Sequence, residues 1–169
     1  ACVVPIQTLR LKKGQRHLVN SGCAAMGYGL PSAIGACFAK EKRRIICLEG
    51  DGSFQLNIQE LQTIVHHQLP VKIFIFNNNG YLSIRITQNN FFDGRLVGEG
   101  PQSGVTLPDM VRIADAYGIK TYRISAQDEL AEKIEAVLEF PGPVLCDVLL
   151  QPDQLFAPRT SSQRLHDGR

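Results

Sequence analysis

The sequence predicts an α/β fold built on a mostly parallel sheet with helices on both faces. Two apolar segments, at residues 45–48 and 71–76, are typical of strands buried on both sides. Strand and helix patterns alternate along the chain, which indicates parallel strands joined by crossover helices. A chain of 169 residues with 44% hydrophobic and 20% charged residues fits one domain, residues 1–169.

Residues 1–15 predict a short helix, because apolar residues recur in it and Gly14 suits a helix end. The chain opens in apolar sequence without an initiator methionine, so we expect a fragment of a longer protein. Residues 17–20 predict a short strand. A helix of small residues follows, with Pro31 in its first turn.

Residues 44–81 are the unit around which the rest is organised. The strands at 45–48 and 71–76 flank one predicted amphipathic helix, whose apolar face consists of Phe54, Leu56, Ile58, Leu61, Ile64 and Val65. A strand–helix–strand unit of this length is a right-handed parallel crossover, so both strands end at the same edge of the sheet. Open α/β sheets bind ligands at that edge.

Residues 80–108 form the least regular part of the prediction. A short helix can begin near Tyr81, and glycine- and proline-rich loop sequence follows it. Loops of this length in a compact domain are usually functional or disordered. Because the segment directly follows the second strand of the unit, we expect a lid on the substrate side.

The rest of the chain is regular until its tail. We expect a helix over 107–117 capped by Thr106, a strand over 120–124, a helix over 128–139 with Ser125 as cap and Glu129 near the capping-box position, and a strand over 144–150. Residues 151–169 lack apolar periodicity and predict an irregular tail.

Composition excludes several classes of function. The net charge of +2 and the scattered basic residues do not favour nucleic acid, and no apolar run reaches the about 18 residues of a membrane helix. The 5 cysteines are odd in number and show no C-x-x-C spacing, which favours reduced thiols over ligands or disulfides. We therefore expect a cytoplasmic protein.

Polar clusters follow both strands of the central unit and suggest a ligand site. Asp51 and Asn78 offer hard oxygen ligands, and Gly52-Ser53 leads into a helix start that can cradle a phosphate. A carboxylate, an amide oxygen and a carbonyl around a diphosphate suit Mg²⁺. Each cluster alone is also a common turn sequence, but two of them at neighbouring strand ends favour a shared site.

An alternative is a nucleotide- or dinucleotide-binding regulatory module. Gly27-x-Gly29, between a predicted strand and a helix and with Asp51 further on, resembles a Rossmann fingerprint. The third position is Ser32 rather than glycine or alanine, and this alternative does not explain the asparagine cluster.

The motif Gly50-Asp51-Gly52, followed about two dozen residues later by Asn77-Asn78, resembles the thiamine diphosphate motif. Its surroundings, over residues 15–150, are similar to the carboxy-terminal module of acetolactate synthase-like enzymes. The resemblance implies thiamine diphosphate and Mg²⁺ as cofactors. It implies Asp51, Asn78 and the Gly80 carbonyl as the metal ligands.

The same resemblance implies further cofactor contacts. Gly50, Gly52 and Ser53, with the backbone at Tyr81 and Leu82, would bind the diphosphate.

Residues 21–35 resemble the family's segment that ends in Met-Gly-x-Gly-Leu-Pro. Met26 would support the bent cofactor, and the Ala24 carbonyl would accept a hydrogen bond from its amino group. The synthases usually have glycine at the Ala24 position. Ordinary core packing is the alternative for Met26.

Ile84 is the expected residue on the substrate side. Pyruvate decarboxylase-like members have a catalytic glutamate at this position, so an apolar residue resembles the synthases. These transferases join a 2-keto acid to a second keto acid. The synthases' acidic-glutamine stretch after the asparagines is absent, so another thiamine-dependent lyase or decarboxylase remains an alternative.

The resemblance also implies what lies outside the chain. In the family, a pyrimidine-binding module, usually from the partner subunit of a homodimer or homotetramer, supplies the activating glutamate. A middle domain, which holds FAD in the synthases, is also absent. We therefore expect no catalytic residue and no turnover in the isolated chain; a subunit kept mainly for assembly is a further alternative.

Overall fold

The computed structural model describes residues 3–157 and centres on a 4-stranded parallel sheet. Its strands are β1 (Ile45–Gly50), β2 (Val71–Asn77), β3 (Lys120–Ile124) and β4 (Val144–Leu149), in the spatial order β1-β2-β4-β3. In the register of the first pair, Gly50 lies opposite Phe76. The carboxyl ends of β1 and β2 therefore meet at one edge, as the crossover predicts.

The helices pack around this sheet and confirm the predicted α/β fold. They are α1 (Val3–Thr8), α2 (Gly29–Ala39), α3 (Asp51–Phe54), α4 (Leu61–His67), α5 (Leu82–Phe91), α6 (Met110–Ala116) and α7 (Leu130–Glu139), with 3₁₀ turns at Gln55–Glu60, Pro101–Ser103 and Gln127–Glu129. Alternate residues of β2 enter different core clusters: Ile73 and Ile75 join one, and Phe74 joins the other. The sheet is thus buried on both faces.

Two predicted elements near the amino terminus differ from the structure. Helix α1 ends at Thr8, well before Gly14. The predicted strand at 17–20 is wrong, because these residues are neither helix nor strand and the Leu18 side chain is 53% exposed. A strand needs a neighbouring strand for its backbone hydrogen bonds, and this segment has none.

The long helix predicted after β1 is interrupted. Residues 51–67 run through α3, a 3₁₀ turn and α4, and Asn57 has non-helical backbone angles (φ −134°, ψ 30°). The Asn57 side chain at this interruption contacts a distant loop, described below.

The predicted cap of α6 is also wrong. The helix begins at Met110, and the carboxylate of Asp109 accepts hydrogen bonds from the Val111 and Arg112 N–H groups at 2.9 and 3.1 Å. Leu107 precedes a proline, which disfavours helical backbone at that residue and so a helix start at Thr106.

Most of the other predicted helices and strands begin and end within one or two residues of the observed ones. The strand over 120–124 is confirmed. The cap predicted at Ser125 is wrong, because Ala126 is the N-cap residue of the 3₁₀ turn that precedes α7. Glu129 accepts hydrogen bonds from Ser125 N and Ala126 N at 2.9 and 3.3 Å. Residues 151–157 contain neither helix nor strand, and the rest of the predicted tail lies outside the described residues.

Two remaining expectations concern membranes and thiols. No helix within residues 3–157 has the length and apolar character needed to span a bilayer. Of the described cysteines, Cys37, Cys47 and Cys146 are buried and Cys23 is exposed; all are free thiols. Burial raises the pKa of the Cys146 thiol to about 12, so this thiol stays protonated and unreactive at neutral pH.

Candidate functional site

Asp51 joins the ends of β1 and β2. It is the first residue after β1 and is only 2% exposed. Its Oδ1 accepts a hydrogen bond from Gly52 N at 2.9 Å, and its Oδ2 accepts one from Gly80 N at 3.0 Å. The structure therefore brings two of the sequence-predicted clusters together through one carboxylate.

The Asp51 carboxylate lacks a cationic partner among the described residues. None of the ion pairs within residues 3–157 involves it. Burial raises its pKa, and backbone N–H donors, led by Gly80, oppose that rise. A buried carboxylate held by neutral donors is suited to a bound cation, which would favour its charged form.

The three asparagines after β2 have different surroundings. Asn77 Nδ2 donates to Asp147 Oδ1 at 3.0 Å, which ties the turn to β4. Asn79 adopts the left-handed backbone region, with φ +59°. The Oδ1 atom of Asn78 is buried and has no hydrogen-bond partner. Buried acceptors are nearly always satisfied, so this oxygen marks a place for a ligand.

Gly80 lies between the backbone carbonyl of Glu99 and the side-chain carboxylate of Asp51. Its φ is +141°, and a Cβ at this position would lie 2.2 Å from the Glu99 carbonyl oxygen. The same carbonyl accepts a hydrogen bond from Tyr81 N at 2.7 Å. Only glycine fits here, and its amide is simultaneously bonded to Asp51.

The predicted diphosphate contacts lie around Gly52 and Tyr81. The Tyr81 ring covers Gly52, since a Cβ there would approach Tyr81 Cε1 to 2.3 Å, and the Tyr81 hydroxyl donates to Gly52 O at 3.4 Å. Gly50 has open space on its Cβ side, and Leu82 begins α5 as a buried residue. Gly50 and Gly52 flank Asp51 in sequence, and Tyr81 contacts Gly52.

The glycine-rich loop before α2 is fastened to the same edge. Ser53 Oγ accepts from Gly27 N at 2.8 Å, and Asn57 Nδ2 donates to Gly27 O at 2.6 Å. Met26, next to this anchor, is 49% exposed, so it is not a core residue. Ala24 has φ +48°, a backbone region that glycine adopts more readily and that explains the family's usual glycine.

Ile84 lies in the first turn of α5. It is 36% exposed and lines a groove of about 350 Å³ together with Ser83, Thr87, Gln88 and Phe92. The residue is therefore accessible for contact with a substrate. The predicted lid is not a free loop, since Gln88 exchanges two hydrogen bonds of 3.0 Å with the backbone of Val97.

Sequence reasoning missed several residues at this edge. Asn57 was assigned only to a helix, and no local signal shows that it reaches Gly27. Glu49 is 7% exposed, and a Cβ on Gly29 would lie 1.8 Å from its Oε2, which has no hydrogen-bond partner. An acidic residue that ends an apolar strand was the available signal for Glu49.

The donor set restricts the kind of metal that fits. Within the described residues, no group of 3 or more His, Cys, Asp and Glu side chains could hold a metal ion. A thiolate- or imidazole-rich centre therefore has no ligands here. One buried carboxylate with an unpartnered amide oxygen is instead a set suited to a hard cation that shares its coordination with phosphate and water.

Comparison with known proteins decides the family. Residues 2–148 match the family described as thiamine pyrophosphate enzyme, C-terminal TPP binding domain. The chain belongs to this family. A TPP-binding domain (TPP, thiamine diphosphate) accounts for both polar clusters and their shared edge, and decides against the dinucleotide-binding alternative.

Relatives of this TPP-binding domain include acetolactate synthases. It is 39% identical over 163 residues to an acetolactate synthase large subunit of Cyanidium caldarium, covering 94% of the chain and 27% of that protein. It is 41% identical over 135 residues to that of Pyropia yezoensis, covering 80% of the chain and 22% of that protein. It is 35% identical over 160 residues to the chloroplastic acetolactate synthase 3 of Brassica napus, covering 92% of the chain and 24% of that protein. The chain thus spans about a quarter of the length of these relatives.

Proposed function

We propose that the chain holds thiamine diphosphate through Mg²⁺ as the C-terminal module of an acetolactate synthase-like carboligase, a transferase acting on 2-keto acids. The observation that carries the proposal is the buried, unpartnered Asn78 Oδ1 in the turn whose Gly80 amide is bonded to Asp51. When bound, thiamine diphosphate supplies the nucleophilic carbon that attacks the keto acid.

Three oxygens of this chain would ligate the metal. They are those of the Asp51 carboxylate, the Asn78 side-chain amide and the Gly80 carbonyl. Asp51 is held by two backbone N–H groups at 2.9 and 3.0 Å, so its orientation is set before a metal arrives. Gly52, Ser53 and the Tyr81–Leu82 backbone would then contact the diphosphate.

The anchored loop supports a role in shaping the cofactor. Gly27 is held on both its N–H and its carbonyl, and the neighbouring Met26 side chain is half-exposed. Met26 would pack against the cofactor, and the Ala24 carbonyl would accept from its amino group. Ile84 would present an apolar surface to the substrate, where a carboxylate would favour protonation over carboligation.

The remaining parts of the site are expected from a partner. We propose that a pyrimidine-binding module of a second subunit, in a homodimer or homotetramer, supplies the activating glutamate. FAD in a middle domain is a possibility carried over from the synthases alone. A related thiamine-dependent lyase or decarboxylase is the alternative activity, because this chain lacks the synthases' acidic-glutamine stretch. Localisation in the cytoplasm stays a prediction, since some relatives are chloroplastic.

The test is cofactor binding to the intact protein with and without the Asp51 charge. A ligand at 100 times its Kd stabilises the folded state by about 2.7 kcal/mol, which raises Tm by about 5–10 °C in a domain of about 150–250 residues and by less in a longer protein. We expect that shift with thiamine diphosphate plus Mg²⁺, and no shift with NAD plus Mg²⁺.

Asp51→Asn should abolish the Mg²⁺-dependent shift, because a neutral amide is a poorer ligand for a hard cation. Asp128→Asn is the matched control, since it removes the same charge from an exposed residue in the 3₁₀ turn before α7. An unchanged shift in Asp51→Asn, measured by calorimetry or thermal unfolding, would end the proposal.

A further inference from the structure

A buried ion pair joins α5 to the loop that follows it. Arg85 Nε donates to Glu99 Oε2, and the two residues are only 9% and 3% exposed. Ser103 Oγ accepts from Glu99 N at 2.9 Å and from Gly100 N at 3.0 Å, and it lies 3.2 Å from Glu99 Oε1. We call Arg85, Glu99 and Ser103 the Glu99 clamp. Nothing in the proposed function uses these three residues.

The Glu99 clamp reaches the proposed metal turn through the backbone. The Glu99 carbonyl accepts from Tyr81 N at 2.7 Å and occupies the space where a side chain on Gly80 would lie. Gly80 is therefore bounded on one side by Glu99 and on the other by Asp51, whose Oδ2 accepts from Gly80 N at 3.0 Å. The orientation of the Gly80 carbonyl depends on both contacts.

The ion pair of the Glu99 clamp sets the position of Glu99 and contributes little net stability to the fold. Replacing a buried ion pair by apolar residues is often neutral or stabilising, because desolvation offsets the attraction between the charges. A carboxylate held by a guanidinium and located next to a serine hydroxyl, in contrast, has a defined position. Since Glu99 is held through its side chain and its own N–H, its carbonyl is directed at Tyr81 N.

The guanidinium also holds a second segment. Arg85 Nη1 donates to the Pro152 carbonyl at 2.6 Å, which fastens the chain after β4 to the same point. One turn further along α5, Gln88 holds Val97 by two hydrogen bonds. Helix α5 thus holds the loop that contacts Gly80 at two points: Gln88 binds Val97, and Arg85 binds Glu99.

We propose that Arg85 and Glu99 are positioning residues that set the Gly80 carbonyl for the metal ion. The inference rests on the proposed function, because the metal is the one that Asp51 and Asn78 would share. Loss of the clamp is expected to raise the Mg²⁺ concentration needed for half-maximal binding of thiamine diphosphate by about 10- to 100-fold, the usual effect of removing a group that orients a metal ligand.

The test compares Arg85→Met and Ser103→Ala in the intact protein with Glu129→Gln as a control. Arg85→Met removes the ion pair, and Ser103→Ala is the milder change that decides the outcome if Arg85→Met does not fold. Glu129 pairs with Lys133 at 2.8 Å at the start of α7, after β3, which lies two strands away from β2 and the proposed metal turn. It reports destabilisation that does not involve Gly80.

Two readouts are needed: the Mg²⁺ concentration for half-maximal thiamine diphosphate binding by calorimetry, and hydrogen exchange of the peptide containing Tyr81 without cofactor. We expect both clamp variants to speed exchange at Tyr81 and to raise the Mg²⁺ requirement, and Glu129→Gln to do neither. A clamp variant that folds and leaves both values unchanged would overturn the inference.

Failure of the proposed function has a different signature. If the unaltered protein does not bind thiamine diphosphate with Mg²⁺, the function and the positioning role for the metal both fall. Exchange at Tyr81 would still respond to Arg85→Met in that case, because that hydrogen bond is present without cofactor.

Discussion

The structure predicts a marked loss of stability for Gly80→Ala. A φ of +141° is a region that residues with a Cβ avoid, at a cost of about 1–3 kcal/mol. The new Cβ would also lie 2.2 Å from the Glu99 carbonyl oxygen, so one backbone segment must move by about 0.8 Å to reach the 3.0 Å limit of real contacts. That movement breaks the hydrogen bond from Tyr81 N to Glu99 O, worth about 1 kcal/mol.

The expected destabilisation is therefore about 2–4 kcal/mol, the sum of backbone strain and the lost hydrogen bond. Equilibrium unfolding in urea, followed by circular dichroism, measures it. Gly104→Ala is the matched control, because Gly104 has φ +99° but no atom within 4 Å of its Cβ position. It carries backbone strain without a steric clash.

Gly80→Ala should exceed Gly104→Ala by at least about 1 kcal/mol, the value of the hydrogen bond that only the first variant loses. Equal losses in the two variants would refute the reasoning, because they would show that Glu99 yields to the new methyl group at no cost.

Two further predictions concern acid stability and the activity of the chain. The hydrogen bond from Arg123 lowers the pKa of Asp109 below its usual value, so this carboxylate contributes stability that is present above about pH 3.9 and is lost as pH falls through the folded-state pKa. Asp109→Asn keeps a good helix cap but removes this charge, so its stability deficit in urea unfolding should shrink below about pH 4; a deficit that is constant down to pH 2 contradicts the assignment. The purified 169-residue chain should release no CO₂ from pyruvate with thiamine diphosphate and Mg²⁺, because the activating glutamate is expected in another module. Measurable release by that chain alone would disprove this division of the site.

The strands were predictable because their signal is local. Residues 71–76 are apolar except for Lys72, and β2 covers them with one further residue. The helix cap at Thr106 was wrong for a reason that is also local, since Pro108 disfavours helical backbone at Leu107. The strand at 17–20 was wrong because a strand depends on a neighbour, and short apolar composition does not show whether one exists.

The sequence alone therefore determines the fold class and the two polar clusters at the ends of β1 and β2, because strand length, periodicity and turn residues are properties of neighbouring positions. It does not show that Asn78 Oδ1 lacks a partner, that Asn57 reaches Gly27, or that Arg85 pairs with Glu99 across 14 residues. These contacts have no period and no fixed spacing. Only the packing of separate segments against one sheet edge decides which side chains meet there.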